Sequence, residues 1–277
     1  ALPALIAAEL VVHLRIRPTV KAFLNRGGVP PGEVPRFNAA IASVPRSVDD
    51  PVSSNQVNVC GTLRVLMEAR DAKVRKVVFA SSSAVYGDAP SEIKREDDLP
   101  APISPYDVTK MTGEMYCRNF WLNYRLPTCS LRYFNVYGPR QDPSSPYSGV
   151  ISIFMTKALT AGVPVIYGDG RQSRDFIFVG DVVQALMRAA DSQGGTGKVF
   201  NVGTGRSVTI RALWDVVAAL SGSSIKPVHE PPRPGDVPQS VSAIDAARTD
   251  LGFVPLVSFE KGLELTIDWY RNAATAS

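Results

Sequence analysis

The run Lys76-Val77-Val78-Phe79-Ala80 is short, apolar and rich in β-branched and aromatic residues, and it stops at a triple serine, Ser81-Ser82-Ser83. Such a run marks a strand buried on both faces, as in parallel sheets covered by helices. It places the serines at a strand's carboxyl end, the edge where ligands enter open α/β sheets. Gly87, Pro90 and the charged stretch 94–98 then read as a loop. Ser104-Pro105 opens a helix, and that helix carries Tyr106 and Lys110. Positions i and i+4 share a helical face, so the phenol and the ammonium can point into one pocket.

A tyrosine with pKa near ~10 is a poor base at neutral pH, and a neighbouring cation favours its charged form. Tyr106 is therefore a candidate proton acceptor, and a serine at the strand end is a candidate to hold a reacting alcohol against it. Tyr-x-x-x-Lys alone is also common on plain helical surface. Here it follows a serine-tipped strand and a loop, which makes an assembly rather than a lone motif.

With 277 residues the chain can bury one large core or two unequal ones, and 45% hydrophobic content is ordinary for a globular protein. The net charge of +4 is mild and no dense Lys/Arg run occurs, so no nucleic-acid partner is expected, whereas anionic small molecules are compatible. Cys60, Cys117 and Cys129 lack paired metal spacing and read as reduced core thiols. His13 and His229 lie far apart in sequence, and no metal site is expected. No apolar run reaches the ~18 residues of a membrane span, so a cytoplasmic protein without a membrane partner is expected.

Four motifs occur in order: Ser81-Ser82-Ser83-Ala84-Val85-Tyr86-Gly87, Ser104-Pro105-Tyr106 through Lys110, Leu131-Arg132-Tyr133-Phe134-Asn135-Val136-Tyr137-Gly138-Pro139-Arg140, and Gly168-Asp169-Gly170 with Arg174-Asp175-Phe176. Together they resemble the extended short-chain dehydrogenase/reductase family, in its nucleotide-sugar epimerase and dehydratase branch. The likeness runs from about Phe37 to about Arg271. It implies an α/β fold, a Rossmann-like doubly wound parallel sheet with a smaller carboxyl-terminal α/β substrate domain. Residues 1–140 are expected to bind NAD and carry the catalytic set, and 141–277 mainly to bind the nucleotide sugar, interleaved with the last sheet elements. The resemblance also implies a homodimer, paired through the Asn58 and Tyr106 helices.

Members of this branch begin with a strand, a Gly-x-x-Gly-x-x-Gly turn and a helix, because a dinucleotide pyrophosphate needs bare backbone at a helix amino terminus. Residues 1–36 contain no such turn: Gly27-Gly28 and Gly32 stand among Pro30, Pro31 and Pro35 and read as irregular loop. Leu10-Val11-Val12-His13-Leu14 reads as a strand preceding the adenosine-side loop. The expectation is a truncated or unusual amino terminus, its first βα units missing or atypical.

The resemblance assigns roles residue by residue. Ser82, Tyr106 and Lys110 are the expected catalytic set. Ala39, Ala40, Asn58, Ala80, Ser81, Tyr133, Asn135 and Val136, with Tyr106 and Lys110, are expected to line the NAD site. Asn38-Ala39-Ala40 resembles the small-residue turn against the cofactor, although the family more often has histidine where Asn38 stands. On residues alone, Asn58 reads equally well as a backbone-bonding asparagine in a kinked helix. Ser43, Ser82, Ser83, Tyr106, Asn135, Val150, Val165, Tyr167, Arg174, Arg233, Asp236 and Ser240 are expected to meet the UDP-sugar. The two arginines match the diphosphate position, where a planar fork binds phosphate oxygens in pairs, and Asp236 matches the partner of the nucleoside ribose. The residues also predict helices over 55–69, 152–161, 208–220 and 259–270, a strand over 128–134 and a turn over 47–51.

Dehydratases of this branch carry an Asp-Glu pair just after the serine or threonine, and decarboxylases a glutamate where Ala84 stands. Ser83 and Ala84 offer no carboxylate. The resemblance therefore implies an NAD-dependent 4-epimerase of a UDP-hexose, working through a transient 4-keto sugar. Ser43-Val44-Pro45-Arg46-Ser47 and the small Ser240 resemble members that accept N-acetylated sugars, which points to UDP-GlcNAc/UDP-GalNAc with UDP-Glc/UDP-Gal also admitted. A nucleotide-sugar reductase, a GDP- or dTDP-sugar epimerase, or a truncated non-catalytic nucleotide-sugar-binding chain remain as alternatives.

Overall fold

The computed structural model describes residues 41–141, 149–232 and 238–275. The described part opens with helices α1 (Val44–Asp49) and α2 (Pro51–Asn55), a π-helical turn (Gln56–Cys60) and α3 (Gly61–Asp71). Strand β1 (Val77–Ser82), a 3-10 turn (Ser83–Tyr86) and β2 (Ile93–Lys94) lead to the long helix α4 (Pro105–Tyr124). Next come β3 (Thr128–Tyr133), β4 (Asn135–Tyr137), α5 (Val150–Leu159), β5 (Val165–Tyr167), β6 (Ser173–Arg174), β7 (Phe176–Phe178) and α6 (Val179–Asp191). The chain continues with β8 (Lys198–Val202), β9 (Val208–Thr209), α7 (Ile210–Ser221), β10 (Val228–Glu230), β11 (Gln239–Ser242), α8 (Asp245–Leu251) and α9 (Phe259–Thr275).

The expected parallel α/β architecture is present. Strands β1, β3 and β8 form an all-parallel sheet in that order, with Ser82 level with Tyr133, and Tyr133 level with Val202. The apolar run sends successive side chains to opposite faces. Val77 packs with Leu66, Ala69, Cys117 and Phe120 under α3 and α4, whereas Val78 joins Leu131, Phe200, Ala185 and Leu251 under α6 and α8. Helices thus cover both faces, which is why the strand can be apolar throughout.

A separate apolar cluster joins α5, α7 and α9: Phe154, Met155, Leu213, Trp214, Leu263 and Ile267 pack with Ile166 and Phe176. Around it lie the small β10–β5 and β4–β7 pairs and a mixed sheet of order β2–β11–β6–β9. The chain passes between the two regions at Phe134, whose N–H bonds the Val202 carbonyl at 3.0 Å before Asn135 starts a strand paired with β7.

Several local expectations are corrected, among them Cys60, expected to be a core thiol but exposed, and Lys94, expected in a loop but part of β2, which pairs with β11. Residues 44–49 form a helix capped by Ser43, so the turn expected over 47–51 narrows to Asp50, where α1 ends and α2 begins with Asp50 as its cap. Residues 208–209 are extended rather than helical, because they pair antiparallel with β6 before the Thr209 hydroxyl caps α7. The helix expected over 55–69 is interrupted by the π-helical turn, around Asn58. Ala39, Ala40, Arg233 and Asp236, with Asn38, the glycines at 27–32 and the 10–14 strand, lie outside the described residues.

Candidate active site

The first turn of α4 is fixed before its side chains do any chemistry. The Ser104 hydroxyl accepts from the Asp107 N–H at 3.2 Å, and the Asp107 carboxylate accepts from the Ser104 N–H at 2.9 Å, a reciprocal capping box. Ser47, fully buried, accepts from the Tyr106 N–H at 3.0 Å and ties this turn to α1. Lys110 is buried and donates from Nζ to the Ala80 carbonyl at 2.8 Å. Its ammonium also lies 5.3 Å from the Phe79 ring centroid and 5.7 Å from that of Tyr106. Phe79 comes this close because residue 113 has no side chain: a Cβ there would stand 2.3 Å from the Phe79 Cζ.

Ser82 meets the same helix from the strand side. Its hydroxyl accepts from the Ala84 N–H at 3.1 Å and lies near enough to the Tyr106 phenol to lower its pKa. The structure therefore brings Ser82, Tyr106 and Lys110 together at the carboxyl end of β1. Burial pushes the Tyr106 phenol above its ordinary value, the nearby Ser82 hydroxyl pulls it down, and the Asp107 charge adds to the rise. The net direction is opposite to the expected lowering by Lys110, whose ammonium is turned toward the Ala80 carbonyl. Desolvation dominates a phenol so enclosed.

Behind the strand end lies a buried ion pair that the motifs did not announce. Glu114 stands one helical turn beyond Lys110, and its carboxylate takes both Nε and Nη2 of Arg132 at 2.9 and 2.8 Å. The Ser81 hydroxyl donates to the same carboxylate. Burial works against the Arg132 charge, but the hydrogen bonds and charge of Glu114 outweigh it and raise its pKa. The guanidinium also lies 4.7 Å from the Tyr86 ring centroid, and Tyr86 donates to Asn201 Oδ1 at 2.7 Å. Asn58 is likewise buried: its Oδ1 accepts from the Ile41 N–H at 2.7 Å, and its Nδ2 donates to the Ile41 carbonyl and to Thr109 Oγ1.

A second group of expected residues surrounds a cavity of about 430 Å³ between β4, α5, β5 and β6. Asn135, Val136, Val150, Val165, Tyr167 and Arg174 all line it. Val85, Tyr86 and Phe134, with Met111 against them, pack the turn after Ser82 to the segment before Asn135 and so join the two groups. Ser240 is level with Arg174 across the β11–β6 pair. The Ser43 hydroxyl is occupied in capping α1, where it accepts from the Arg46 N–H at 3.1 Å, and Ser83 opens the 3-10 turn.

The fit of a dinucleotide differs between its two ends. A phenol, a serine hydroxyl and a buried ammonium at parallel strand ends suit a ribose and a redox-active ring. For the pyrophosphate, no helix among the described residues opens on a Gly-x-x-Gly-x-x-Gly turn, and the full sequence contains no such spacing.

Comparison with known proteins agrees with this geometry. Residues 13–203 match the NAD dependent epimerase/dehydratase family. The UDP-glucose 4-epimerase of Mycolicibacterium smegmatis is 43% identical over 235 residues, 84% of this chain and 74% of that protein. The structure of Thermotoga maritima UDP-glucose 4-epimerase with UDP-glucose matches at TM-score 0.82 and 39% identity, over 86% of this chain and 76% of that one. A UDP-N-acetylglucosamine 4-epimerase from Methanobrevibacter ruminantium, in complex with UDP-N-acetylmuramic acid, matches at TM-score 0.82 and 39% identity, over 85% and 76%. With Tyr106 and Lys110 of α4 gathered against Ser82 at the end of β1 and a family match across most of its length, this chain belongs to the NAD dependent epimerase/dehydratase family and is an NAD-dependent enzyme.

Proposed function

We propose that the protein interconverts UDP-hexoses by inversion at C4, acting on UDP-GlcNAc/UDP-GalNAc and on UDP-Glc/UDP-Gal. The observation that carries this reading is the Ser82–Tyr106–Lys110 cluster followed by Ser83 and Ala84, where an eliminating or decarboxylating relative would have a carboxylate. The Tyr106 oxygen takes the proton of the sugar 4-hydroxyl, and the Ser82 hydroxyl holds the reacting oxygen. Lys110 supplies the positive charge beside the phenolate. NAD, when bound, accepts and returns the C4 hydride. A 4-keto sugar that turns over between the two transfers gives the opposite configuration. Ala80, Ser81 and Tyr133, with Asn58 behind the helix, form the NAD side of this reading, while Val136, expected there, lines the nucleotide-sugar cavity. On the substrate side Asn135 and Arg174 receive the diphosphate, Val165 and Tyr167 flank the base, and Ser240 leaves room for an acetamido group.

The reading includes a cytoplasmic homodimer. Its support is on α4, where Val108, Met115 and Leu122 recur every seven residues yet are 46%, 59% and 51% exposed, the pattern of a helix that pairs with a second copy. A monomer by sedimentation at micromolar concentration overturns that part. For the reaction, the purified protein is given NAD and a panel of UDP-, GDP- and dTDP-hexoses. UDP-hexoses are expected to equilibrate at C4, and Tyr106→Phe to slow turnover about 10²–10⁴-fold with UDP affinity unchanged. No C4 inversion of any UDP-hexose with NAD supplied, or full activity in Tyr106→Phe, overturns the reading.

A further inference from the structure

Asp175 is completely buried, yet every hydrogen-bond donor found on its carboxylate is neutral. Oδ1 accepts from Thr204 N–H and Oγ1 at 2.8 and 2.6 Å, and Oδ2 from Gly205 N–H, Ser242 N–H and Ser242 Oγ at 3.0, 3.1 and 2.5 Å. A carboxylate offers about four lone-pair sites, so these donors saturate it and leave nothing for a proton transfer or a cation. The close fit extends to the loop itself: a Cβ at Gly203 would lie 2.7 Å from Oδ2 and 2.3 Å from the Ser242 hydroxyl.

The main chain of the same residue holds the cavity wall. Its N–H donates to the Ser240 carbonyl at 3.0 Å, and its own carbonyl accepts both the backbone N–H and the Nδ2 of Asn135, at 3.0 and 3.1 Å. Asp175 is also the corner between β6 and β7, where the chain leaves the mixed sheet to pair with β4. Arg174 and Phe176 on either side of it, and Asn135 opposite, all line the cavity.

We infer that Asp175 is the positioning residue of the nucleoside-diphosphate pocket: by locking the β6–β7 corner to the 203–205 loop and to Ser242, it sets where the Asn135 amide and the Arg174 guanidinium meet the ligand. This inference rests on the UDP-sugar reading above. Asp175→Asn keeps the shape but puts an NH₂ among donors; turned either way it faces a backbone N–H that cannot accept, and the corner must shift.

The test measures UDP binding by calorimetry and steady-state kinetics of a UDP-hexose with NAD present, in wild type, Asp175→Asn and Ser242→Ala. Asp175→Asn is expected to raise both KM and the UDP Kd about tenfold or more, the worth of one charge-assisted hydrogen bond, with kcat changed less than about threefold. Ser242→Ala, which removes one donor and keeps the backbone N–H, is expected to move KM and Kd in the same direction by about threefold. A merely structural role lowers thermal stability and active fraction while KM and UDP Kd stay at wild-type values, and that result overturns the inference. Should Asp175→Asn fail to fold, unchanged KM and Kd in Ser242→Ala overturn it. A wild-type chain that binds no UDP overturns the substrate reading and this inference together, whereas wild-type binding unaffected by both variants overturns only the role of Asp175.

Discussion

The Glu114–Arg132 pair allows a quantitative test of what holds the serine-bearing strand end against α4. The side chains are only 7% and 5% exposed, and two hydrogen bonds join them. Arg132→Met fills similar length without charge and leaves the Glu114 carboxylate with the Ser81 hydroxyl as its described donor. Removing one partner of a buried pair costs roughly 3–5 kcal/mol, because the other charge stays buried. Loss of the cation above the Tyr86 ring adds about 0.5–2 kcal/mol. Urea unfolding at pH 7, followed by far-UV circular dichroism, should therefore show Arg132→Met about 3.5–7 kcal/mol less stable, with the slope unchanged. The double variant Arg132→Met/Glu114→Leu removes both charges and is expected within about 2 kcal/mol of wild type, the residue being the stranded Ser81 hydroxyl. A cost of about 1 kcal/mol or less, the range of an exposed pair, or a double variant whose cost is the sum of the two singles, would refute the reasoning.

Gly113→Ala drives a methyl into the Phe79 ring beneath Lys110, so a loss of about 1–3 kcal/mol is expected together with lowered kcat; a thermally stable, fully active variant contradicts this packing. Burial pushes the Cys117 and Cys129 thiols from an ordinary 9.0 up to about 12, so the folded state keeps protons that the unfolded chain releases. That stability is fully present below about pH 9 and is lost as pH rises toward about 12, at about 1.4 kcal/mol per pH unit for each thiol. Urea midpoints across this window should fall less steeply in Cys117→Ala, and an identical slope counts against the assignment. Ser240→Tyr should fill the space left for an acetamido group and lower kcat/KM for UDP-GlcNAc more than for UDP-Glc; equal effects on the two sugars would count against the pocket assignment.

What could be foreseen was local in sequence. The apolar run 76–80 was enough for β1, Ser104-Pro105 marked the start of α4, and the four-residue step from Tyr106 to Lys110 put both on one face. Long-range partners were hidden. Ser47 holds Tyr106 across 59 residues, Glu114 holds Arg132 across 18, and Asp175 holds Ser242 across 67. Nothing in a serine or an aspartate shows which distant N–H it will accept, since turn, cap and surface uses have the same residue types. The short β9 was missed for a related reason: two β-branched residues ahead of an amphipathic run extend its helical periodicity, and only the partner strand makes them extended.

The π-helical turn at Gln56–Cys60 acts as a reading-frame shift inside one helix. An α-helix rotates about 100° per residue, so one residue held in excess turns everything before it relative to everything after it. With that offset Asn58 faces Ile41 and Thr109, while Leu66 and Ala69 further along still point into the core. Deleting one residue within 56–60 would let the segment relax to an ordinary helix and leave α3 in place, but it would swing either Asn58 or α2 out of phase. Length at this point, rather than the identity of any side chain, keeps the segment at Ile41 in step with the tyrosine helix.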